Sequence, residues 1–120
     1  MEIYIDFDGT ISPAHYPDKP TVPPFPNCVE TIKQFKQMGH TIVIYSCRAN
    51  PDLFSKEKSF EATQEMVDYL NKWSIPYDRI HSGKPLYDIL ICDRAISSKD
   101  GDWSRILKDS KQIIPTELPK

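Results

Sequence analysis

Hydrophobic positions in this chain fall into short blocks separated by polar and proline-rich connections, and the spacing inside each block predicts its element. Residues 2–7, "EIYIDF", alternate and are β-branched or aromatic, so a strand is predicted there. Residues 27–39, "NCVETIKQFKQMG", place Val29, Ile32 and Phe35 on one stripe of a helix. Asn27 with Glu30 fits a capping box, and Gly39 suits the C-terminal stop. "HTIVIYS" (40–46) is a near-continuous apolar run of strand length, the pattern of a parallel-sheet strand covered on both faces. Residues 47–58 read as loop. A longer helix is predicted over 59–74, where Ala62, Met66, Leu70 and Trp73 share a face and Pro76 stands just past the end. "RIHS" (79–82) predicts a short strand, "YDILICD" (87–93) an apolar strand ending in an aspartate, and 102–113 a last helix with Asp102 as cap.

That order of elements predicts an α/β domain with a mostly parallel sheet. At 120 residues the chain has room for one core, and it carries no internal repeat or linker, so residues 1–120 read as a single domain. Between the first strand and the first helix, Pro13, Pro17, Pro20, Pro23, Pro24 and Pro26 rule out a helix or a central strand. Residues 11–26 therefore form a stiff, irregular flap, longer than an ordinary connection. "PTVPPFP" within it weakly matches a polyproline ligand, but a flap beside a site is the better reading. The tail at 115–120 reads as loose.

Charge narrows the choice of partners. Lys plus Arg is 15 and Asp plus Glu 17, a net charge of −2 that gives no electrostatic argument for nucleic acid or an anionic membrane, although a local basic patch stays open. No apolar run approaches the ~20 residues that span a bilayer. The chain starts directly on a strand pattern with no basic-then-apolar leader. Cys28, Cys47 and Cys92 are sparse and odd in number, as expected of a reducing compartment. The expectation is a soluble cytoplasmic protein. His15, His40 and His81 have no metal-ligand spacing, though His15 on the flap is placed to touch a substrate.

In parallel α/β sheets the ligand site lies beyond the carboxyl ends of the strands. The first strand ends in Asp6-Phe7-Asp8, the second in Ser46-Cys47-Arg48 and the last in Cys92-Asp93-Arg94, with Gly83-Lys84-Pro85 before it. On the predicted topology these groups share one edge. Three carboxylates so placed repel one another unless a hard divalent cation such as Mg²⁺ and a lysine offset them, and a phosphate can then approach. An acidic hairpin turn is the bland reading of "DFDGT", but "TISPAHYP" does not return as a strand. An EF-hand loop would need a Gly and a Glu that are not at the required offsets. Arg48 and Arg94 divide evenly between substrate contact and ion pairing.

The three strand ends and the lysine ahead of the last, taken in order, resemble the motifs of the haloacid dehalogenase (HAD) superfamily of phosphohydrolases. Asp6-Phe7-Asp8-Gly9-Thr10 matches the first motif, Ser46 after "IVIY" the second, Lys84 the third and Asp93 the fourth, with Asp88 as its rival. The resemblance covers most of residues 2–95 and implies a three-layer Rossmann-like fold. It implies Asp6 as the nucleophile forming an aspartyl-phosphate, Asp8 as acid and then base, and Lys84 as the neutralising cation. Thr10, Ser46 and Arg48 become the candidates for holding the phosphoryl group. Asp6, Asp8 through its carbonyl, and Asp93 become the Mg²⁺ ligands. The implied partner is a phosphorylated substrate.

Two departures shape the expectation. Cys92 stands where small members of the family often carry a second acid, which removes a charge near the metal. Neither the flap nor the stretch from Ser46 to Lys84 has room for a cap domain, so the site is expected to be capless. A large substrate, or one enclosed by a second subunit, suits such a site, and phosphorylated nucleic-acid ends stay among the substrates. The leading expectation is a Mg²⁺-dependent phosphatase. A catalytically weak regulatory module and a phosphotransferase are its alternatives.

Overall fold

The computed structural model describes residues 1–113; the tail expected at 115–120 lies outside the described residues. β1 (Glu2–Asp6), β2 (Thr41–Tyr45) and β3 (Arg79–His81) form a parallel sheet in the order β1-β2-β3. Parallel neighbours need crossovers, and the helices α1 (Cys28–Gln37) and α2 (Lys56–Lys72) supply them. α3 (Trp103–Ile113) follows the sheet and packs on α1. In β2 the successive residues Ile42, Val43 and Ile44 are all buried. Successive strand side chains point to opposite faces, so both faces of β2 are covered, as its apolar run predicts.

The register fixes the site edge. Asp6 pairs with Tyr45, and Tyr45 with His81, so the three strands end level. The residues that follow, from Phe7, Ser46 and Ser82, leave the sheet side by side.

The helices form where their buried positions recur at helical spacing. α1 buries Cys28, Thr31, Ile32 and Phe35 and ends at Gly39, whose φ of 88° suits glycine. α2 buries Ser59, Ala62, Met66, Tyr69 and Leu70. It starts at Lys56 rather than 59 because the Ser55 hydroxyl accepts the Lys58 N–H at 3.2 Å and caps it. Asp102 caps α3 as expected, accepting from the Arg105 N–H at 3.1 Å.

Two expectations fail. Asn27 makes no side-chain cap: its φ is 66°, and its amide donates instead to the Ser104 hydroxyl at 3.3 Å. A capping side chain needs an extended backbone to turn back onto the first helical N–H groups, and a left-handed residue points it elsewhere.

The second failure is larger. Residues 87–93 form no strand; Ile89 is 79% and Ile91 94% exposed. The chain leaving β3 is held at Lys84, whose ammonium pairs with Asp6 and whose carbonyl accepts from Asn50. Beyond Pro85 its backbone has no ladder partner, and β1 pairs only with β2 among the described residues. A continuous apolar run signals affinity for burial; it does not name the strand beside which it would lie.

The core joins Ile5, Phe7, Ile11, Ile32, Ile44, Met66, Leu70 and Trp103. The proline flap is anchored to it at two points. The Tyr69 hydroxyl donates to the Val22 carbonyl at 2.6 Å, and the Trp103 indole N–H donates to the Thr10 carbonyl at 3.1 Å. Burial pushes the Tyr69 phenol up to about 12, so that donor keeps its proton. No helix among the described residues is long and apolar enough to cross a membrane.

Candidate active site

Asp6 closes β1 with one carboxylate oxygen accepting the Phe7 N–H at 2.8 Å and the other 3.0 Å from the Lys84 ammonium. Burial pushes the Asp6 carboxyl above its ordinary range, and Lys84 draws it back only in part. For Lys84, burial works against the charge, but the hydrogen bond and attraction of Asp6 prevail and its pKa is raised. The loop that carries Lys84 is fixed by Asn50, which is buried and donates to the Lys84 carbonyl at 2.9 Å. Its oxygen accepts the Asp52 N–H at 2.8 Å, so one side chain joins the loop after β2 to the loop after β3. An Asn-Pro pair in a polar stretch is a turn signal in the sequence, but nothing there points across to Lys84.

Asp8 faces a different cation. The Arg48 guanidinium, 1% exposed, donates to its carboxylate from Nη2 at 2.5 Å and from Nε at 3.0 and 3.2 Å. The same Nη2 donates to the Asp18 carbonyl at 2.9 Å, tying the flap to the site. The guanidinium also lies over the Phe7 and Tyr16 rings, 5.9 and 5.4 Å from their centroids. Arg48 is thus an ion-pair residue here, engaged through Nε and Nη2, at the wall of the cleft.

Between Asp8 and Thr10 the chain turns at Gly9, with φ at 73°. A Cβ there would come within 2.4 Å of the His15 imidazole, which packs directly on the turn. The Gly9 N–H is spent inside the loop on the Ser12 carbonyl at 2.7 Å. Thr10 and Ser98 share a hydroxyl hydrogen bond at 2.8 Å. Ser46 is fully buried and its oxygen accepts the Arg48 N–H at 3.0 Å, so it shapes the loop after β2 and stands back from the cleft. Each of the proposed phosphate contacts, Thr10, Ser46 and Arg48, thus has a partner inside the protein.

A cleft of about 600 Å³ opens at this edge. Asp6, Asp8, Lys84, Arg48, His15 and Cys47 form its polar part, and Tyr16, Leu53, Phe54 and Leu86 its apolar part. The structure thus brings together Asp6, Asp8 and Lys84 as expected. It does not bring Asp93 to them: Asp93 and Arg94 occupy an exposed turn, and Asp88 is exposed as well. The physical reason is the missing fourth strand, since only a ladder beside β1 would have carried residue 93 to this edge.

The donor set fits Mg²⁺ only in part. Asp6 and Asp8 both line the cleft, but the Asp8 carboxylate is filled by Arg48, and no group of three or more His, Cys, Asp or Glu side chains among the described residues is arranged to hold a metal. Among the described residues the cationic partner of Asp6 is Lys84.

A crystal structure of a structural-genomics target from Vibrio cholerae has a similar fold, with a TM-score of 0.76 and 26% sequence identity over 93% of this chain and 94% of that one. No family model and no curated protein matches the chain. The likeness runs almost end to end in both chains, so the α/β architecture is shared as a whole.

Proposed function

We propose that this protein is a phosphohydrolase of the HAD type, in a small, capless, three-layer Rossmann-like form, which cleaves a phosphate monoester through Asp6. One observation carries the reading. A carboxylate at the end of the first parallel strand lies 3.0 Å from a lysine ammonium, beside a second acid, on the floor of a cleft. Lone structural ion pairs do not need a cleft, whereas a nucleophile does.

The proposed chemistry has two steps. The Asp6 oxygen attacks phosphorus, the bond from phosphorus to the ester oxygen breaks, and the departing alcohol oxygen takes up a proton. Water then attacks the phosphorus of the aspartyl-phosphate, gives up a proton, and returns Asp6 as carboxylate with inorganic phosphate. Asp8 would carry those protons, and for that its contacts with Arg48 must loosen when substrate enters. Lys84 offsets charge on Asp6 and on the transferring group, which is the larger part of catalysis in phosphoryl transfer. Mg²⁺ would be held by Asp6 and the Asp8 carbonyl. When bound it would offset charge on the transferring phosphoryl group, while Asp93 stands outside that set. The test is turnover of an aryl phosphate with Mg²⁺ and after chelation: release of phosphate supports the reading, and none under either condition overturns it.

A second reading has its own support. Asp8 engaged by Arg48, with Asp93 outside the cleft, also suits a module that binds a phosphate group without cleaving it. Phosphate binding with no turnover across a broad panel of monoesters would favour that module.

A further inference from the structure

The apolar half of the cleft has no task in the phosphoryl chemistry. The Tyr16 and Phe54 rings lie 5.0 Å apart, centroid to centroid, tilted by 49°. Tyr16 is 43% exposed and Leu53 43%, while Leu86, two residues past Lys84, is 76% exposed. All of them line the same cleft as the Asp6–Lys84 floor. Exposed apolar groups beside a charged floor gain by being covered, and a ligand with one charged end and one apolar end covers both at once.

The wall is also braced apart from Asp8. Tyr16 sits against the Arg48 guanidinium, which also lies over the Phe7 ring and donates to the Asp18 carbonyl. A ring entering the cleft meets an aromatic pair that is already in place, so little ordering entropy is lost on binding. Tilted and offset contacts of this kind are the geometries that aromatic quadrupoles favour. A sugar or glycerol chain would press its hydroxyls against carbon.

We propose that the cleft selects phosphate monoesters whose leaving alcohol carries an aromatic ring, with the ring against Tyr16 and Phe54 and the phosphate on Lys84. The proposal rests on the phosphohydrolase reading and names its substrate class. Caplessness had pointed to a large substrate; the flap and the loop after β2 instead build enough wall for a small one.

Benzyl phosphate and ethyl phosphate test it, since their leaving alcohols differ little in acidity and a preference between them reports the ring. The expected result is a kcat/KM at least about fivefold higher for benzyl phosphate in the wild type, the scale of one good aromatic contact. That ratio falls toward one in Phe54→Ala, and it also falls in Leu86→Ser, a change at a well-exposed position that folding tolerates. Equal values for the two esters in the wild type, or a ratio that both variants leave unchanged, overturn the proposal. If neither ester nor an aryl phosphate is cleaved, the phosphohydrolase reading fails by itself. Calorimetry with benzylphosphonate and ethylphosphonate, which cannot be hydrolysed, then decides the ring site. Tighter binding of the benzyl compound supports it, and equal or no binding overturns it.

Discussion

Replacing Arg48 with leucine removes the one cation that holds Asp8, and the cost can be worked from its contacts. Arg48 is 1% and Asp8 14% exposed in the side chain, and three N–H···O contacts join them. Taking away one member of a buried ion pair costs about 3–5 kcal/mol, because the other charge stays buried without a partner. The Asp18 carbonyl also loses its donor, for about 1 kcal/mol more. Leucine recovers about 1–2 kcal/mol by packing against Phe7 and Tyr16, and residual water at Asp8 lowers the cost further. The expected net loss is about 3 kcal/mol, or a fall in Tm on the order of 10 °C for a domain of this size. Urea unfolding followed by fluorescence of the buried Trp103 measures it. Asp8→Asn alone and combined with Arg48→Leu completes a double-mutant cycle with an expected coupling of at least about 1 kcal/mol. A loss below about 1 kcal/mol for Arg48→Leu, or strictly additive effects, would refute the pairing and with it the tie between flap and site.

His40 is buried with neither ring nitrogen hydrogen-bonded, and burial lowers its pKa from 6.5. The folded state therefore binds fewer protons there than the unfolded chain, so stability is present above pH 6.5 and lost as pH falls; His40→Phe should flatten that loss in unfolding curves taken across the window. Lys84 is raised above 10.5 by Asp6, so its contribution is full below that pH and disappears as pH rises through the folded value. In Lys84→Met the Asp6 carboxyl, already raised, should titrate higher still, which carbon-13 NMR of that carboxyl would register as an upward move; no move would contradict the pair. Gly9→Ala should cost at least about 1–2 kcal/mol from its positive φ, with the His15 ring displaced, and near-wild-type stability would contradict the tight turn.

Much of this site could be read from residues alone, for a definite reason. Asp6 lies at the end of one parallel strand and Lys84 just past the end of another, and parallel strands that end level deliver their last residues to one edge. Hydrophobic pattern is enough to locate such ends. The partners of Asp8, Ser46 and Thr10 could not be read in that way. Arg48 folds back onto Asp8 and the flap because Phe7, Tyr16 and Asp18 make a slot for its guanidinium, and no spacing rule encodes a slot. "YDILICD" misleads for the opposite reason: its composition demands burial, but strand formation needs a neighbour with free N–H and C=O groups, a non-local condition. Asn27 likewise has the right type for a cap and the wrong backbone angle, which composition does not reveal.

Asp6 carries the central claim, and phosphate release from benzyl phosphate with Mg²⁺ by wild type and by Asp6→Asn tests it most directly. The amide cannot form an aspartyl-phosphate but keeps the shape of the side chain, and circular dichroism can check that the fold is kept. The expected result is turnover by the wild type and a fall on the order of a thousandfold or more in the variant, the scale of losing a nucleophile that cannot be replaced. Equal rates for the two proteins would contradict the claim.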